Sequence, residues 1–587
     1  LKNLKFSTRG SVFNNAHETC TTWDPGSYTG KLNNWLTGVY TELPDELNRG
    51  ALAEGNSRSS GWTWRNNLEF RQAFKEKHFL SIYVGHEVSE YKSNSNYVKY
   101  PEYDPEKGLM GVPDIDGVED VKRKILNLLD GLSESRNRSV SFFVSGSYSF
   151  LDRYVVAGSI RMDGADIIGT ANRFSPLWNA SFKYNEYEEG FMKKISWLDE
   201  LAFRLSYGYT GSIDKNALPF GVMTFMSTDE YFGYDIPTYI QPKNPSVKWQ
   251  KKEDRSVGVD FALLNRRIRG TVNYYNNVTR NLLDTKNLPI SVGVSSIKYN
   301  SSSVRNYGWE FSMNSQVLRT KELFWKVDFN VGMNRSKVIK TYYKDISEIP
   351  KGYDKTTPVE GASTNAWFGY RFAGIDPRTG HTLAFVDNSK REEPIGFQRE
   401  DGRWVLDMDD VVNKDRESIK ENLGDSYPTV NGGFRTNLSW KDFTFDANFT
   451  FMVGHKITAA YYATSAGGVV SAASQNVLKK EATRWRKPGD ITDIPVYSSG
   501  GEYSSLNSEW YDLKLESGDF LKCTSISFGY RVPSKICQKF SLTSLRVNFN
   551  VRDVFTISGY SGLDPENFGG FSYPNSKKYM ISLNIGI

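Results

Sequence analysis

The chain has 587 residues, 39% hydrophobic and 14% aromatic, with 73 Lys and Arg against 68 Asp and Glu. Mean hydropathy is −0.52, and no stretch approaches the roughly 18 consecutive apolar residues of a transmembrane helix; a transmembrane barrel stays open, because only alternate strand residues meet lipid. The net charge of +5 is scattered, which gives no support to nucleic-acid binding, and Cys20, Cys523 and Cys537 offer neither a disulfide framework nor a zinc spacing.

In chain order, weaker strand candidates lie near 3–13, 61–73 and 78–88. The first clear one is Val140, Phe142, Val144, Tyr148 and Phe150, alternating with Ser141, Ser145, Ser147 and Ser149. Candidates near 153–163 and 173–184 follow. Leu201, Phe203, Leu205, Tyr207 and Tyr209 then alternate with Ala202, Arg204, Ser206 and Gly208. Further candidates near 253–263, 267–278 and 304–317 precede Leu323, Trp325, Val327, Phe329 and Val331, whose partners on the other face include Lys326, Asp328 and Asn330. After a candidate near 427–439, Phe443, Phe445, Ala447, Phe449 and Phe451 alternate with Thr444, Asp446, Asn448 and Thr450. A candidate near 519–530 is followed by Leu545, Val547, Phe549 and Val551, set against Arg546, Asn548, Asn550 and Arg552. The chain closes on YMISLNIGI, Tyr579–Ile587, with the same period of two.

This makes about sixteen strands, the clear ones about 9–11 residues long, as a tilted bilayer crossing needs. Short turns near 74–77, 151–152, 264–266, 318–322 and 440–442 alternate with long segments near 14–60, 89–137, 210–252, 279–303, 335–426 and 452–518. Outer-membrane barrels alternate short periplasmic turns with long extracellular loops in this way. Alternation in one strand is more often a half-buried soluble strand. A sandwich of this size, however, needs two buried faces, and here one face stays polar throughout. The segment Asp120–Leu132 reads instead as a short helix packed in a loop.

Chemical motifs are few. Gly26–Lys31 is one residue short of a phosphate loop, and Leu32 stands where Ser or Thr is required. His17, His78, His86, His381 and His455 lack metal spacing, and neither GxSxG nor HExxH occurs, so no enzyme is read. The acidic clusters at Asp114–Gly117 and Asp407–Asp410 match no full calcium loop and read as solvated turns; no cofactor or metal is expected. Loop aromatics Trp367, Tyr370, Trp404, Trp485 and Trp510 suit stacking on sugars or peptide side chains, or else rigidify the loops.

Several segments resemble, in order, those of SusC/RagA-type TonB-dependent outer-membrane transporters. They are RYVVAGSIRMDGADIIGTANRFSPLWNASFKY (Arg153–Tyr184), NPSVKWQKKEDRSVGVDFALLNRRIRGTVNYYNNVTRNLL (Asn244–Leu283), FGYRFAGIDPRTG (Phe368–Gly380), GDSYPTVNGGFRTNLSWKDFTF (Gly424–Phe445), TRWRKPGDITDIP (Thr483–Pro495), LKCTSISFGYRVPSKI (Leu521–Ile536) and SLRVNFNVRDVFTISGYSGLDPE (Ser544–Glu566). The resemblance covers about 150–587; the first 150 residues match it mainly in strand layout.

What the resemblance implies is an all-β, transmembrane antiparallel β-barrel, with about sixteen strands present here of 22 and the N-terminal plug domain absent from this chain. The chain reads as the C-terminal part of a longer transporter whose signal, plug and first strands lie outside it. The implied function is TonB-dependent import of oligosaccharides or peptides across the bacterial outer membrane. A SusD-like lipoprotein would lid the mouth, and the TonB complex would act through the missing plug. Arg204, Lys326, Asp328, Asp446, Arg546 and Arg552 are expected to face the lumen, where they either hold the plug by polar contacts or pack the lumen structurally. The alternatives are a passive plug-free porin of about sixteen strands, or a surface glycan-binding adhesin.

Overall fold

Alternating bulky and small polar residues give an extended chain two unlike faces, and the computed structural model places every expected strand segment in a strand. It describes residues 3–23, 50–104, 108–109, 131–166, 168, 173–190, 192–212, 221–228, 235–241, 244, 247–288, 291, 296–346, 358–389, 391–410, 416–459, 479–496, 510–567 and 575–587. The long strands are β1 (Leu4–Trp23), β2 (Gly50–Phe74), β3 (His78–Asp104), β4 (Gly131–Phe150), β5 (Tyr154–Ala165), β6 (Phe174–Asn185), β7 (Leu198–Ser212) and β8 (Gln250–Leu263). They continue as β9 (Ile268–Asn287), β10 (Ser296–Arg319), β11 (Leu323–Lys340), β12 (Val430–Trp440), β13 (Phe443–Val453), β14 (Phe520–Arg531), β15 (Ser544–Ser558) and β16 (Lys578–Gly586).

Many strands are longer than the alternation predicts; β2 and β3 run 25 and 27 residues. Residues 14–23, 50–60, 89–104, 131–137, 210–212, 250–252, 279–287, 296–303 and 335–340, all expected in loops, are strand. The reason is physical: only the part of a strand that meets lipid needs bulky side chains at every second position. Residues 54–60, EGNSRSS, carry no apolar side chain, yet they are paired on both edges. The expected helix at Asp120–Leu132 lies outside the described residues except at 131–132, where β4 begins. Gly26–Lys31 and Asp114–Gly117 lie outside them as well.

The chain divides into two compact units. The first comprises Leu1–Tyr148, Ala157–Trp178 and Asp214–Trp249, and in it β2 pairs antiparallel with both β1 and β3. Its side chains are tied by charge: Glu90 takes Arg136 at 2.9 Å and Arg138 at 3.0 Å, and Arg161 lies 2.6 Å from Asp163.

The second unit comprises Ser149–Val156, Asn179–Ile213 and Gln250–Ile587. From residue 179 of β6 to the end of β16, each long strand pairs antiparallel with the next. Short turns join one end of this wall. Leu264, Asn265 and Arg266 turn with positive φ between β8 and β9, and Lys441 does so between β12 and β13. At the same end a short helix at Ser534–Lys539, absent from the sequence reading, buries Cys537. The long connections leave from the other end.

Those connections are not plain loops. Ala366–Gly369 pairs with Glu421–Asp425, and Phe372–Ile375, Thr382–Val386, Trp404–Asp407 and Phe397–Gln398 form a second small sheet. Lys456–Thr458 pairs with Leu515–Ser517. The two connections therefore share a core, in which Tyr370, Ala384, Leu406, Met408 and Tyr511 are all but fully buried.

Candidate functional site

Strand register carries the polar positions from one strand of the wall to the next. Asp328 faces Arg435, Arg435 faces Asn448, Asn448 faces Ser525, Ser525 faces Arg552, and Arg552 faces Lys578. One step nearer the short turns, Lys326, Asn437, Asp446, Ser527 and Asn550 make a parallel row. All six residues expected in the lumen, Arg204, Lys326, Asp328, Asp446, Arg546 and Arg552, stand on this polar face. The other face carries rows such as Trp325, Leu438, Phe445, Phe528, Phe549 and Ile581.

The polar face is cross-linked. The Arg435 guanidinium donates to Asp446 at 2.6 Å, and Asn437 donates to the other Asp446 oxygen at 2.8 Å. Lys326 donates to Asp328 at 2.9 Å, as does Asn314 at 2.8 Å. Arg204 reaches Asp260 at 2.8 Å and Asn273 at 2.9 Å. It crosses Gly258 to do so; a Cβ there would sit 2.5 Å from the Asn273 amide oxygen and 3.0 Å from the guanidinium. These are partly exposed polar contacts of modest individual strength. Arg435 completes the row; its alternation with Phe434 and Thr436, and its shared face with Gly433 and Asn437, are visible in the sequence.

Near the long connections, a bulge in β15 gives Asp553 a positive φ of 53°. Asp553 lies 3.5 Å from the Lys522 ammonium, which also meets Glu566 at 2.5 Å and Asp564 at 3.7 Å. Lys522 is buried, so this cluster pins the Asp564–Glu566 turn against the polar face of β14. Bulges re-aim side chains in this manner.

The loop aromatics separate into two groups. Trp367 and Tyr370 are 5% and 1% exposed, which corrects the expectation that they stack on a substrate. The Trp367 indole donates to the Lys456 carbonyl at 3.1 Å, and Tyr370 lies against Tyr511 at 5.5 Å. Trp510 packs on Trp367 at 4.5 Å. These rings are occupied by the core that joins the two connections. Trp404 is half-buried at the edge of that core. Trp485 is half-buried too, donates to the Pro377 carbonyl at 3.0 Å and lies over Gly380.

The acidic cluster at 407–410 is also more structural than expected. Asp407 accepts from the Asp409 and Asp410 amides at 3.0 and 3.2 Å and lies 2.9 Å from the His381 Nδ1. Asp409 is buried and accepts the Thr382 amide at 2.6 Å, so it is no solvated turn residue. Among the described residues, no three His, Cys, Asp or Glu side chains are placed to hold a metal. Outside the wall, burial pulls the His455 imidazole below its ordinary pKa, against the opposing pull of Asp519 at 3.9 Å. Arg403 holds the exposed Asp401 carboxyl below the usual range.

Residues 3–450 match the family described as "TonB dependent receptor-like, beta-barrel". The chain belongs to that family. A TonB-dependent receptor barrel of the outer membrane accounts for the two-faced wall and for its exposed apolar face, where Trp440, Phe443 and Phe528 are each more than half exposed among the described residues. The chain is 26% identical over 473 residues to the TonB-dependent receptor SusC of Bacteroides thetaiotaomicron, covering 77% of this chain and 44% of that protein. It is 25% identical over 464 residues to the TonB-dependent receptor P3 of Formosa agariphila, covering 76% and 43%. The structure resembles that of the RagAB peptide transporter, with TM-score 0.78 and 22% identity over 100% of this chain and 60% of that one. The chain thus spans about half the length of the curated relatives it matches.

Proposed function

We propose that this TonB-dependent receptor barrel takes part in active import of oligosaccharides or peptides too large for porins. The wall is completed by the parts of the relatives that this chain does not span, among them a plug that the TonB complex pulls. A SusD-like lipoprotein closes the mouth. The observation that carries the reading is the polar face that bears Arg204, Lys326, Asp328, Asp446, Arg546 and Arg552, cross-linked by weak, partly exposed contacts. Such a surface holds a plug firmly in sum and releases it contact by contact under force. The folded body built from 366–389, 391–410, 416–425 and 510–517 would serve as a platform for the lipoprotein, with half-buried Trp404 and Trp485 meeting cargo or lid there.

The test is uptake of fluorescent oligosaccharide and oligopeptide pools by cells carrying the complete gene, with and without TonB. Accumulation of one pool that vanishes without TonB is expected. Accumulation unchanged without TonB would point to a passive porin, and binding without accumulation to an adhesin. Either result defeats the proposal. Co-purification of the lipoprotein is expected to fall when residues 372–407 are replaced by a short linker.

A further inference from the structure

The outer face of β7 to β11 changes character along its height. One row, Leu205, Val257, Tyr274, Trp309 and Met333, is apolar or aromatic. Two residues further from the short turns, the register brings Tyr207 to Arg255 and Tyr307 to Arg335. The next row is Tyr209, Glu253, Val278, Arg305 and Lys337. Five cations, counting Arg280, thus crown a band of exposed aromatics on the face that elsewhere meets hydrocarbon.

Their pairing is uneven. Buried Glu253 is shared by Arg255 and, at 3.3 Å, by Arg280. Arg305, Arg335 and Lys337 form no ion pair with a described residue, and Arg335 and Lys337 are exposed. Arg305 is nevertheless held in place. It donates to Asn276 at 2.8 Å and lies 4.9 Å over the Tyr307 ring. Arg255 and Tyr207 line one end of an open groove of about 500 Å³ on the apolar face, and Phe182, Leu205 and Val257 line the end nearer the short turns. The ten residues from Leu263 at the turn to Glu253, in the row of Arg305 and Lys337, span about 33 Å along a strand, which a tilt near 40° reduces to about 25 Å of height. That places this row at the outer boundary of an apolar band about 25 Å tall, with Arg255 just inside it.

We propose that this face binds a phosphorylated, acylated lipid of the outer leaflet. Its phosphate is held by Arg305, Arg335 and Lys337, and an acyl chain lies in the groove below Arg255. Guanidinium groups suit phosphate because their fork of donors matches its oxygens. An anionic protein partner would answer the charge but would leave the apolar groove, continuous with the lipid face, without an occupant. The inference rests on the outer-membrane placement of the barrel and not on the identity of the cargo.

The test uses the full-length transporter in detergent, titrated with lipid A carrying both phosphates and followed by native mass spectrometry. The triple variant Arg305→Gln, Arg335→Gln, Lys337→Gln should bind this lipid at least about tenfold more weakly, since each cation at an anionic surface contributes about fivefold. The charge-preserving Arg335→Lys, Lys337→Arg variant should bind within about twofold of wild type. Equal binding by the triple variant overturns the proposal, as does loss of lipoprotein co-purification with lipid binding unchanged. If the triple variant forms no heat-modifiable barrel, wild type is compared on lipid A with and without phosphates. Equal affinity for the two, or full displacement by equimolar inorganic phosphate, overturns it equally. Cargo uptake can fail while the lipid contrast holds, which keeps the two readings separable.

Discussion

The wall and the body that rises from it use the same aromatic residues in opposite ways. On the wall, Trp440 and Phe528 are 52% and 55% exposed, and the structure gains from them only if hydrocarbon lies outside. In the body, Tyr511 and Met408 are fully enclosed by neighbours from two distant connections. The wall is thus stabilised by its solvent and the body by its own core, as in a water-soluble domain.

The sharpest way to break this contrast is Tyr511→Ala. The ring packs against Tyr370 at 5.5 Å and Phe372 at 6.2 Å, and the following backbone is tied to the other connection by the Asp512 amide donating to the Tyr370 carbonyl at 3.0 Å. Removing a large buried ring costs about 3–5 kcal/mol. The loss should stay in the body: protease cleavage within 366–425 should appear while heat-modifiable migration of the barrel persists. Loss of both together would mean that wall and body share one core. Next in size is Phe449→Arg, whose ring stacks on Phe434 at 4.4 Å on the apolar face. It should cost about 2–4 kcal/mol in lipid, whereas Asn448→Arg, one residue away on the polar face, should cost far less. Denaturant titration of the folded protein in vesicles measures both, and equal losses would refute the assignment of faces.

The same contrast explains what could be read from the sequence. Phe443 to Phe451 betrays its strand because two solvents impose a strict period of two. The body leaves no such trace. Its strands are two to five residues long, and Ala366–Gly369 and Thr382–Val386 are buried on both faces, so the runs AWFG and TLAFV show no alternation. Trp367 and Tyr370 therefore looked like loop aromatics free to stack on cargo, although the density of apolar residues from 366 to 375 was itself a sign of a core. The six polar wall residues were legible because register repeats alternation from strand to strand. The Lys522 cluster was not, because a bulge and a distant turn bring its three acids together.

The smallest effect sharpens the comparison at the junction of the two regions. His455 follows the end of β13, and Gly518 makes room for it; a Cβ at 518 would lie 2.3 Å from the imidazole Nε2. Burial lowers the pKa of this ring from its usual 6.5, with Asp519 pulling the other way. The unfolded junction therefore binds a proton that the folded one resists. Stability contributed by the neutral ring is fully present above pH 6.5 and is lost as pH falls from there toward the lower folded value. A single group limits the slope to about 1.4 kcal/mol per pH unit. Hydrogen exchange across Lys456–Thr458 and Leu515–Ser517 should accelerate between pH 6.5 and 5 after correction for intrinsic rates, while exchange in the middle of β13 should not. His455→Gln should abolish the dependence. A dependence that survives the substitution would move the titrating group elsewhere, and an equal response in β13 would show that the junction and the wall open together.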